Sequence, residues 1–252
     1  MNGTDGSMVH PPGAVCPTPV RRAVMEQSWL DLASVHWRYD PAVVQTLLPP
    51  GFTVDTFDGS AWVGLIPFRM VDVRAPHLPT MGRLSQFLET NVRTYICDAA
   101  GRHAVWFFSL DVDRLIPAVV ARLTYRLPYC WAQMSMERID DVITYRSVRR
   151  WPRSSAGASS ALSIRVGEAM APNEVDPLRV FLTARWSLGT TFGGRLMWAR
   201  VDHDPWSIHV ADVLSADETM FAAAGLPTPT GESVALWSPG VHVRIGMPRR
   251  VR

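Results

Sequence analysis

Lysine is missing from this sequence, and all 25 of its basic residues are arginine. A Schiff base with a carbonyl substrate needs the amine of a lysine side chain, and so does the attachment of pyridoxal phosphate. The sequence therefore excludes imine catalysis by an internal lysine, and we expect no lysine-bound cofactor.

Cysteines and long apolar segments are also scarce. The three cysteines, Cys16, Cys97 and Cys130, are odd in number and far apart, which suits a reducing compartment and matches no metal-ligand spacing. No run of about 18 apolar residues occurs, as a membrane-spanning helix would need. Residues 1–13 lack the basic and apolar segments of a signal peptide. These absences predict a cytoplasmic protein that does not bind a membrane.

The charge is low and nearly balanced, with a formal net charge of +2. No stripe of basic residues interleaves with aromatic ones, so we do not expect nucleic acid as a partner.

With 47% apolar residues in 252, the chain can bury a large core in one domain. We expect a flexible leader at residues 1–25, a single β-barrel domain at 26–246 and a basic tail at 247–252.

Several common site motifs are absent as well. The sequence has no Gly-x-Gly-x-x-Gly, Walker loop, Gly-x-Ser-x-Gly elbow or His-Glu-x-x-His, which removes the usual nucleotide, hydrolase and zinc-protease interpretations. Asp202, His203, Asp204 and His209 include metal-binding residue types, but their spacing fits no helix or strand site. We therefore predict a surface loop there, and neither a metal nor a cofactor.

Most of the chain shows the alternating pattern of β-strands. Asp40-Pro41 and Asp176-Pro177 each combine an N-cap residue with a proline at the first helical position. Asp58-Gly59 is a strong two-residue hairpin signal. Predicted strands cover residues 28–39, 52–57, 61–70, 86–95, 103–112, 127–137, 142–149, 161–166, 195–202, 207–214, 233–237 and 241–246. Predicted short helices begin at residues 41, 114, 177 and 217. This order favours a mostly β, α+β fold, an antiparallel barrel or sandwich with a few short peripheral helices.

One predicted strand carries an unusual row of polar residues. In 86–95, a side-chain period of two points Glu89, Asn91, Arg93 and Tyr95 to the same face. That face either meets water or lines an interior cavity. In a cavity, Glu89 could exchange protons while Arg93 held a carboxylate. The alternative is an ion pair on a solvated face.

Other residues could complete such a site. Tyr129 could donate a hydrogen bond or a proton, although a core tyrosine is the simpler interpretation. His36 is also explained more simply as a core residue, yet it remains a pocket candidate. Most of the ten tryptophans are expected in the core, but so much aromatic area beside polar strand faces is what an apolar ligand pocket with a few polar groups would need. The candidate substrate-binding residues are Asn91, Tyr95, His36, Trp62, Trp106, Phe108, Arg122 and Trp131.

The order of these motifs resembles that of a known protein family. The shared segments are His36-Trp37, Leu48-Pro49-Pro50-Gly51, Asp58-Gly59-x-x-Trp62-Val63-Gly64, Phe87-x-Glu89-x-Asn91-Val92-Arg93-Thr94-Tyr95, Val105-Trp106-Phe107-Phe108 and Leu127-Pro128-Tyr129. Together they resemble an uncharacterised bacterial family within the acetoacetate decarboxylase-like β-barrel superfamily, over residues 26–246. The Glu-x-Asn-x-Arg strand is the most specific part of the match.

The resemblance implies a cone-shaped barrel. In acetoacetate decarboxylases the barrel cavity holds a Schiff-base lysine, a glutamate and an arginine. The resemblance maps the glutamate to Glu89 and places Tyr129 or Cys130 at the position of the lysine. Because this sequence has no lysine, the decarboxylase mechanism does not carry over.

Two functional hypotheses follow from these observations. In the first, the protein is a lyase, isomerase or cyclase that acts without a covalent intermediate on an oxo acid or a polyketide-like intermediate in secondary metabolism. It would work by acid–base catalysis or by restricting the conformations of its substrate. Glu89, Arg93 and Tyr129 would be its catalytic residues. In the second, the same pocket binds an apolar small molecule without turnover, as a carrier or sensor. Neither hypothesis excludes that the protein forms a homodimer.

Overall fold

The computed structural model describes residues 13–80, 82–114 and 127–251, apart from the side chains of Arg83 and Leu84. Residues 115–124 of the predicted helix at 114–124, Arg122 among them, lie outside the described residues. In the described part the chain is mostly β with a few short helices, as the sequence predicts.

Fourteen strands are present in the described residues. They are β1 (Ala23–Tyr39), β2 (Phe52–Val54), β3 (Thr56–Phe57), β4 (Ser60–Arg74), β5 (Phe87–Asp98), β6 (His103–Val112), β7 (Tyr129–Ile139), β8 (Val142–Trp151), β9 (Ser159–Ala169), β10 (Ser187–Phe192), β11 (Arg195–His203), β12 (His209–Glu218), β13 (Val234–Gly246) and β14 (Arg249–Arg250). The α-helices are α1 (Pro41–Gln45), α2 (Pro177–Thr183) and α3 (Met220–Ala223), and 3₁₀ turns lie at Gly82–Ser85, Arg153–Ser155 and Pro172–Glu174.

The helix starts and the first hairpin confirm the local signals in the sequence. The Asp40 carboxylate accepts a hydrogen bond from the backbone N–H of Ala42 at 2.8 Å. Asp176 accepts one from Arg179 N–H at 2.8 Å. Both aspartates thus satisfy a helix N–H that has no intrahelical partner. Asp58 and Gly59 have positive φ values of 51° and 70°, which suit the tight turn between β3 and β4.

The strands form one sheet that closes on itself twice. Its order is β14-β11-β10-β6-β7-β8-β9-β12-β13-β1-β4-β5-β2, and β5 also pairs with β6 while β11 also pairs with β13. Strands β13, β1, β4, β5 and β6 therefore belong to both closed rings. Most pairs are antiparallel, but β6 pairs in parallel with β7 and β10.

Each face of the shared strands packs against its own apolar core. Cluster A contains Phe68, Leu110, Val112, Trp206 and Ile208 among others. Cluster B lies on the opposite face and contains Leu65, Val92, Ile96, Ile143 and Ile164 among others. As a result, nearly every residue of β5 is buried, whichever face it points to.

The structure corrects two strand predictions. β10 was not predicted, and β13 (Val234–Gly246) is one strand where two were expected. Pro239 lies between the part of β13 that pairs with β12 and the part that pairs with β11. Proline has no backbone N–H to donate to a neighbouring strand. Because Pro239 lies where β13 changes partner, the strand continues through this residue.

Candidate active site

The polar row of β5 points into the protein. Glu89, Asn91, Arg93 and Tyr95 are only 0% to 5% exposed. Glu89 lies opposite Phe68 on β4 and Val112 on β6, and Asn91 lies opposite Ile66 and Leu110. These neighbours all belong to cluster A. Three polar side chains, Glu89, Asn91 and Arg93, are thus embedded in an apolar interior.

Glu89 carries the one carboxyl group of this row, and its pKa is raised far above its ordinary value. Burial raises its pKa to about 8, and the nearby Asp111 carboxylate adds to the rise. Hydrogen bonds from Asn91 and Tyr129 oppose it, the hydroxyl of Tyr129 lying 3.5 Å from Oε2 of Glu89. The ion pairs of the described residues include none between Glu89 and Arg93, four residues along the strand. At neutral pH Glu89 is therefore mainly a neutral carboxylic acid that can give up a proton.

The raised pKa of Glu89 predicts a specific pH dependence of stability. In the unfolded chain the carboxyl ionises near 4.5, and in the folded protein near 8. Its contribution is therefore complete below pH 4.5 and is lost as the pH rises to about 8. The slope is about 1.4 kcal/mol of unfolding free energy per pH unit. Urea denaturation of the wild type and of Glu89→Gln between pH 5 and pH 8 checks this. A constant difference between the two proteins would contradict it.

Arg93 is a buried cation without a carboxylate partner. Its Nη2 donates to the carbonyl oxygen of Leu182 at 3.0 Å and to the hydroxyl of Tyr95 at 3.4 Å. Its Nε has no partner, and the ion pairs of the described residues do not include it. A buried charge is costly unless it is paired. This region is therefore suited to an anionic group of a ligand.

His36 and Tyr95 form a hydrogen-bonded pair at the end of α2. The Tyr95 hydroxyl donates to the carbonyl oxygen of Leu182 at 2.7 Å and lies 2.7 Å from Nε2 of His36. Since that hydroxyl has one proton, the network assigns a proton to Nε2, which donates to Tyr95. Burial, together with the charges of Arg93 and Arg185, lowers the pKa of His36 well below its ordinary value. His36 is thus a neutral core residue that holds Tyr95 in place.

Gly64 on β4 leaves the space that the His36 ring occupies. A Cβ at this position would lie 2.4 Å from Nε2 of His36. We expect Gly64→Ala to displace the ring and to lower the unfolding free energy by about 1–3 kcal/mol. Gly246→Ala is the control, because its added Cβ would meet its nearest neighbour at 3.5 Å. Denaturation midpoints of the two variants test this, and equal midpoints would contradict the steric role of Gly64.

The remaining predicted residues lie in different places. Trp62 is fully buried near Tyr95, and the guanidinium of Arg38 lies 4.6 Å from its ring centroid. Trp106 and Phe108 pack against cluster B, on the face opposite Glu89, because β6 has a bulge where its pairing with β5 shifts between Val92 and Arg93. Trp131 is 37% exposed.

The structure brings in two buried residues that the sequence analysis missed. Arg185 pairs with Asp55 at 2.7 Å, and its guanidinium lies 4.6 Å from the Tyr95 ring centroid. Arg185 follows α2 directly, and nothing in its local sequence pattern indicates a contact with β5. The Leu182 carbonyl that Arg93 and Tyr95 share is a backbone group, which no residue pattern could reveal.

The structure adds a buried ion pair and corrects one interpretation. Asp111 lies within β6 and pairs with Arg149 on β8. His203 was placed in a surface loop, but it ends β11 and is 7% exposed. Among the described residues, no group of three or more His, Cys, Asp or Glu side chains could hold a metal ion. No helix of the described part is long and apolar enough to cross a membrane.

Comparison with known proteins identifies the family. The model of the DUF2071 family, described as an uncharacterized conserved protein, matches residues 26–242. The chain belongs to this family. The uncharacterized protein YqjF of Bacillus subtilis (strain 168) is 32% identical over 209 residues, which cover 83% of this chain and 85% of YqjF.

Solved structures show the same fold at low sequence identity. An acetoacetate decarboxylase-like enzyme from Sphingomonas wittichii RW1 is 16% identical with a TM-score of 0.61, covering 91% of this chain and 93% of that one. Acetoacetate decarboxylase from Legionella pneumophila is 12% identical with a TM-score of 0.62, covering 94% and 92%. The enduracididine biosynthesis enzyme MppR, complexed with pyruvate, is 13% identical with a TM-score of 0.61, covering 93% and 92%. This DUF2071 protein therefore has the acetoacetate decarboxylase-like fold, which is shared with enzymes.

Proposed function

We propose that this DUF2071 protein is an enzyme that transfers protons to and from a small oxo compound without a covalent intermediate. The substrate class is an oxo acid or a polyketide-like intermediate, and the reaction is a dehydration, isomerisation or cyclisation. The observation that carries the proposal is the buried carboxyl of Glu89, with a pKa of about 8 and the Tyr129 hydroxyl 3.5 Å away. A general acid–base catalyst works best when its pKa lies near the working pH.

The side chains on this face of β5, together with Tyr129 of β7 on the other side of β6, would divide the work. Glu89 would protonate a carbonyl or hydroxyl oxygen and, once ionised, remove a proton from the neighbouring carbon. Tyr129 would stabilise the ionised carboxylate, since its hydroxyl donates toward Oε2. Asn91 has a buried Oδ1 that no described residue contacts through a hydrogen bond, and this oxygen would orient a substrate hydroxyl. Arg93 would attract the carboxylate of an oxo acid.

The lack of lysine decides which oxo-compound chemistry is available. Without a lysine in this sequence, the substrate carbonyl cannot form an imine with a side chain, and its activation would rest on hydrogen bonding and proton donation. MppR has the same fold and has been obtained with pyruvate and with the condensation product of pyruvate and imidazole 4-carboxaldehyde. This supports an oxo acid as the substrate class, by analogy of fold.

Hydrogen exchange at carbon tests the proposal before a natural substrate is known. The protein would be incubated in D₂O with a panel of 2-oxo and 3-oxo acids of increasing length. Proton NMR would then follow loss of the signal from the carbon next to the carbonyl. We expect enzyme-dependent exchange in at least one compound. Binding of a panel member without exchange or conversion of any compound would favour the carrier hypothesis instead.

A further inference from the structure

A small cavity lies between α2 and the turn that follows β11. Its volume is about 170 Å³. Its walls are mostly apolar, with Met170, Val175, Val180 and Ile208 among them, and His203 also lines it. An apolar cavity of about 150 Å³ is large enough to hold a benzene molecule. This cavity therefore has room for a group of roughly six or seven heavy atoms.

His203 supplies a directed polar group in this apolar cavity. Its Nδ1 lies 2.7 Å from the carbonyl oxygen of Asp204. A carbonyl oxygen can only accept, so Nδ1 must carry the proton and Nε2 must be the acceptor when the ring is neutral. Nε2 has no hydrogen-bond partner among the described residues. Burial, assisted by the charge of Arg93, lowers the pKa of His203, although the carbonyl of Asp204 opposes this.

Three tryptophans fix the orientation of the His203 ring. The ring centroid of Trp186 lies 4.6 Å from that of His203, and those of Trp29 and Trp206 each lie 6.2 Å away. A ring held in this way offers its acceptor nitrogen in one direction. An apolar cavity with a few directed polar groups, here His203 beside Thr183 and Ser207, is typical of a small-molecule site.

We propose that this cavity binds a neutral aromatic ring with one hydroxyl group, a phenol, whose O–H donates to Nε2 of His203. The ring fits the volume and the apolar walls, and the hydroxyl satisfies the unpaired acceptor.

The cavity is also close to the candidate active site. Thr183 and Ala184 line it, directly after the Leu182 carbonyl that Arg93 holds. The guanidinium of Arg93 lies 5.9 Å from the ring centroid of Trp206, and Trp206 lines the cavity as well. If the proposed function holds, the phenol would be the non-reacting end of the substrate, and that extension rests on the proposed function. The binding of a phenol does not.

Phenol and toluene are a matched pair of probes, because they differ only in a hydroxyl and a methyl group. Each would be titrated into the full chain labelled with ¹⁵N, and dissociation constants would be taken from amide shifts around the cavity. We expect phenol to bind about fivefold to tenfold more tightly than toluene, as one hydrogen bond allows. Equal affinities, or no binding of either probe, would overturn the proposal.

Three variants separate the proposal from its alternatives. His203→Phe should keep toluene binding and remove the preference for phenol, whereas His242→Phe, at an exposed position of β13, should change neither. Val180→Trp should fill the cavity and abolish binding of both probes, which tests the site even if His203→Phe does not fold. A phenol preference that survives His203→Phe, or binding that survives Val180→Trp, would overturn the proposal.

Glu89→Gln separates this inference from the proposed function. Phenol binding should be unchanged in this variant, because Glu89 does not line the cavity. Phenol binding without hydrogen exchange on any oxo acid would leave the cavity proposal standing and remove the enzymatic one. Loss of phenol binding in Glu89→Gln would contradict the separation of the two sites.

Discussion

Glu89→Gln is expected to lower turnover by about 10²-fold to 10⁴-fold, the usual contribution of a general acid–base group. Glutamine has nearly the shape of the protonated carboxylic acid, which predominates in the fold at neutral pH because the pKa of Glu89 is about 8. The variant should therefore fold normally at pH 7. It cannot release a proton to the substrate or take one back, so only the chemistry should suffer.

The measurement is the rate of hydrogen exchange, or of product formation, on the compound that the D₂O panel identifies. Glu168→Gln is the control, because Glu168 is exposed on β9 and the same substitution there should leave the rate unchanged. The affinity for the substrate should change much less than the rate. If Glu89→Gln retains wild-type turnover, Glu89 is not the acid–base group.

Arg149→Met is expected to destabilise the fold by about 3–5 kcal/mol, the range for breaking a buried ion pair at one partner. The side chains of Arg149 and Asp111 are 4% and 0% exposed. Nε of Arg149 donates to Oδ2 of Asp111 at 2.9 Å, and Nη2 donates to Oδ1 at 2.6 Å. Without Arg149, the Asp111 carboxylate would stay buried without a counter-charge.

The neighbouring residue provides the control for this prediction. Arg150 is exposed and donates to Gln133, so Arg150→Met should change the unfolding free energy by less than about 0.5 kcal/mol. The double variant Arg149→Met with Asp111→Leu should recover much of the loss, because it removes both charges. Urea denaturation of all three variants decides the matter. A cost of Arg149→Met no larger than that of Arg150→Met would show that the pair is not a strong constraint.

The sequence was informative where the evidence is local. The caps at Asp40 and Asp176, the turn at Asp58-Gly59 and the alternation along β5 all depend on neighbours within a few residues, and the structure confirms them. β10 was missed although its turn to β11 carries a signal, since Gly193 and Gly194 both have positive φ. A Gly-Gly pair between two short strands is a hairpin signal that could have revealed it.

The candidate site was less accessible to sequence reasoning, because it depends on contacts between distant strands. Asp111 and Arg149 meet across the intervening β7, and Arg185 reaches Tyr95 from the segment after α2. No periodicity encodes such pairs. The aromatic residues show a second reason. The bulge in β6 changes which side chains share a face, so Trp106 and Phe108 lie with cluster B although the alternation alone left this open.

The double closure of the sheet has a consequence for native-state hydrogen exchange. Strands β1, β4, β5, β6 and β13 are each members of both rings. Breaking the hydrogen bonds between any two neighbouring strands of this set therefore opens both rings. The amides of β5 should therefore exchange only through global unfolding, together with those of its ring partners, as one cooperative unit. A ligand bound against cluster A should then also slow exchange in β8 and β9, which contribute Ile143 and Ile164 to cluster B on the opposite face of the shared strands.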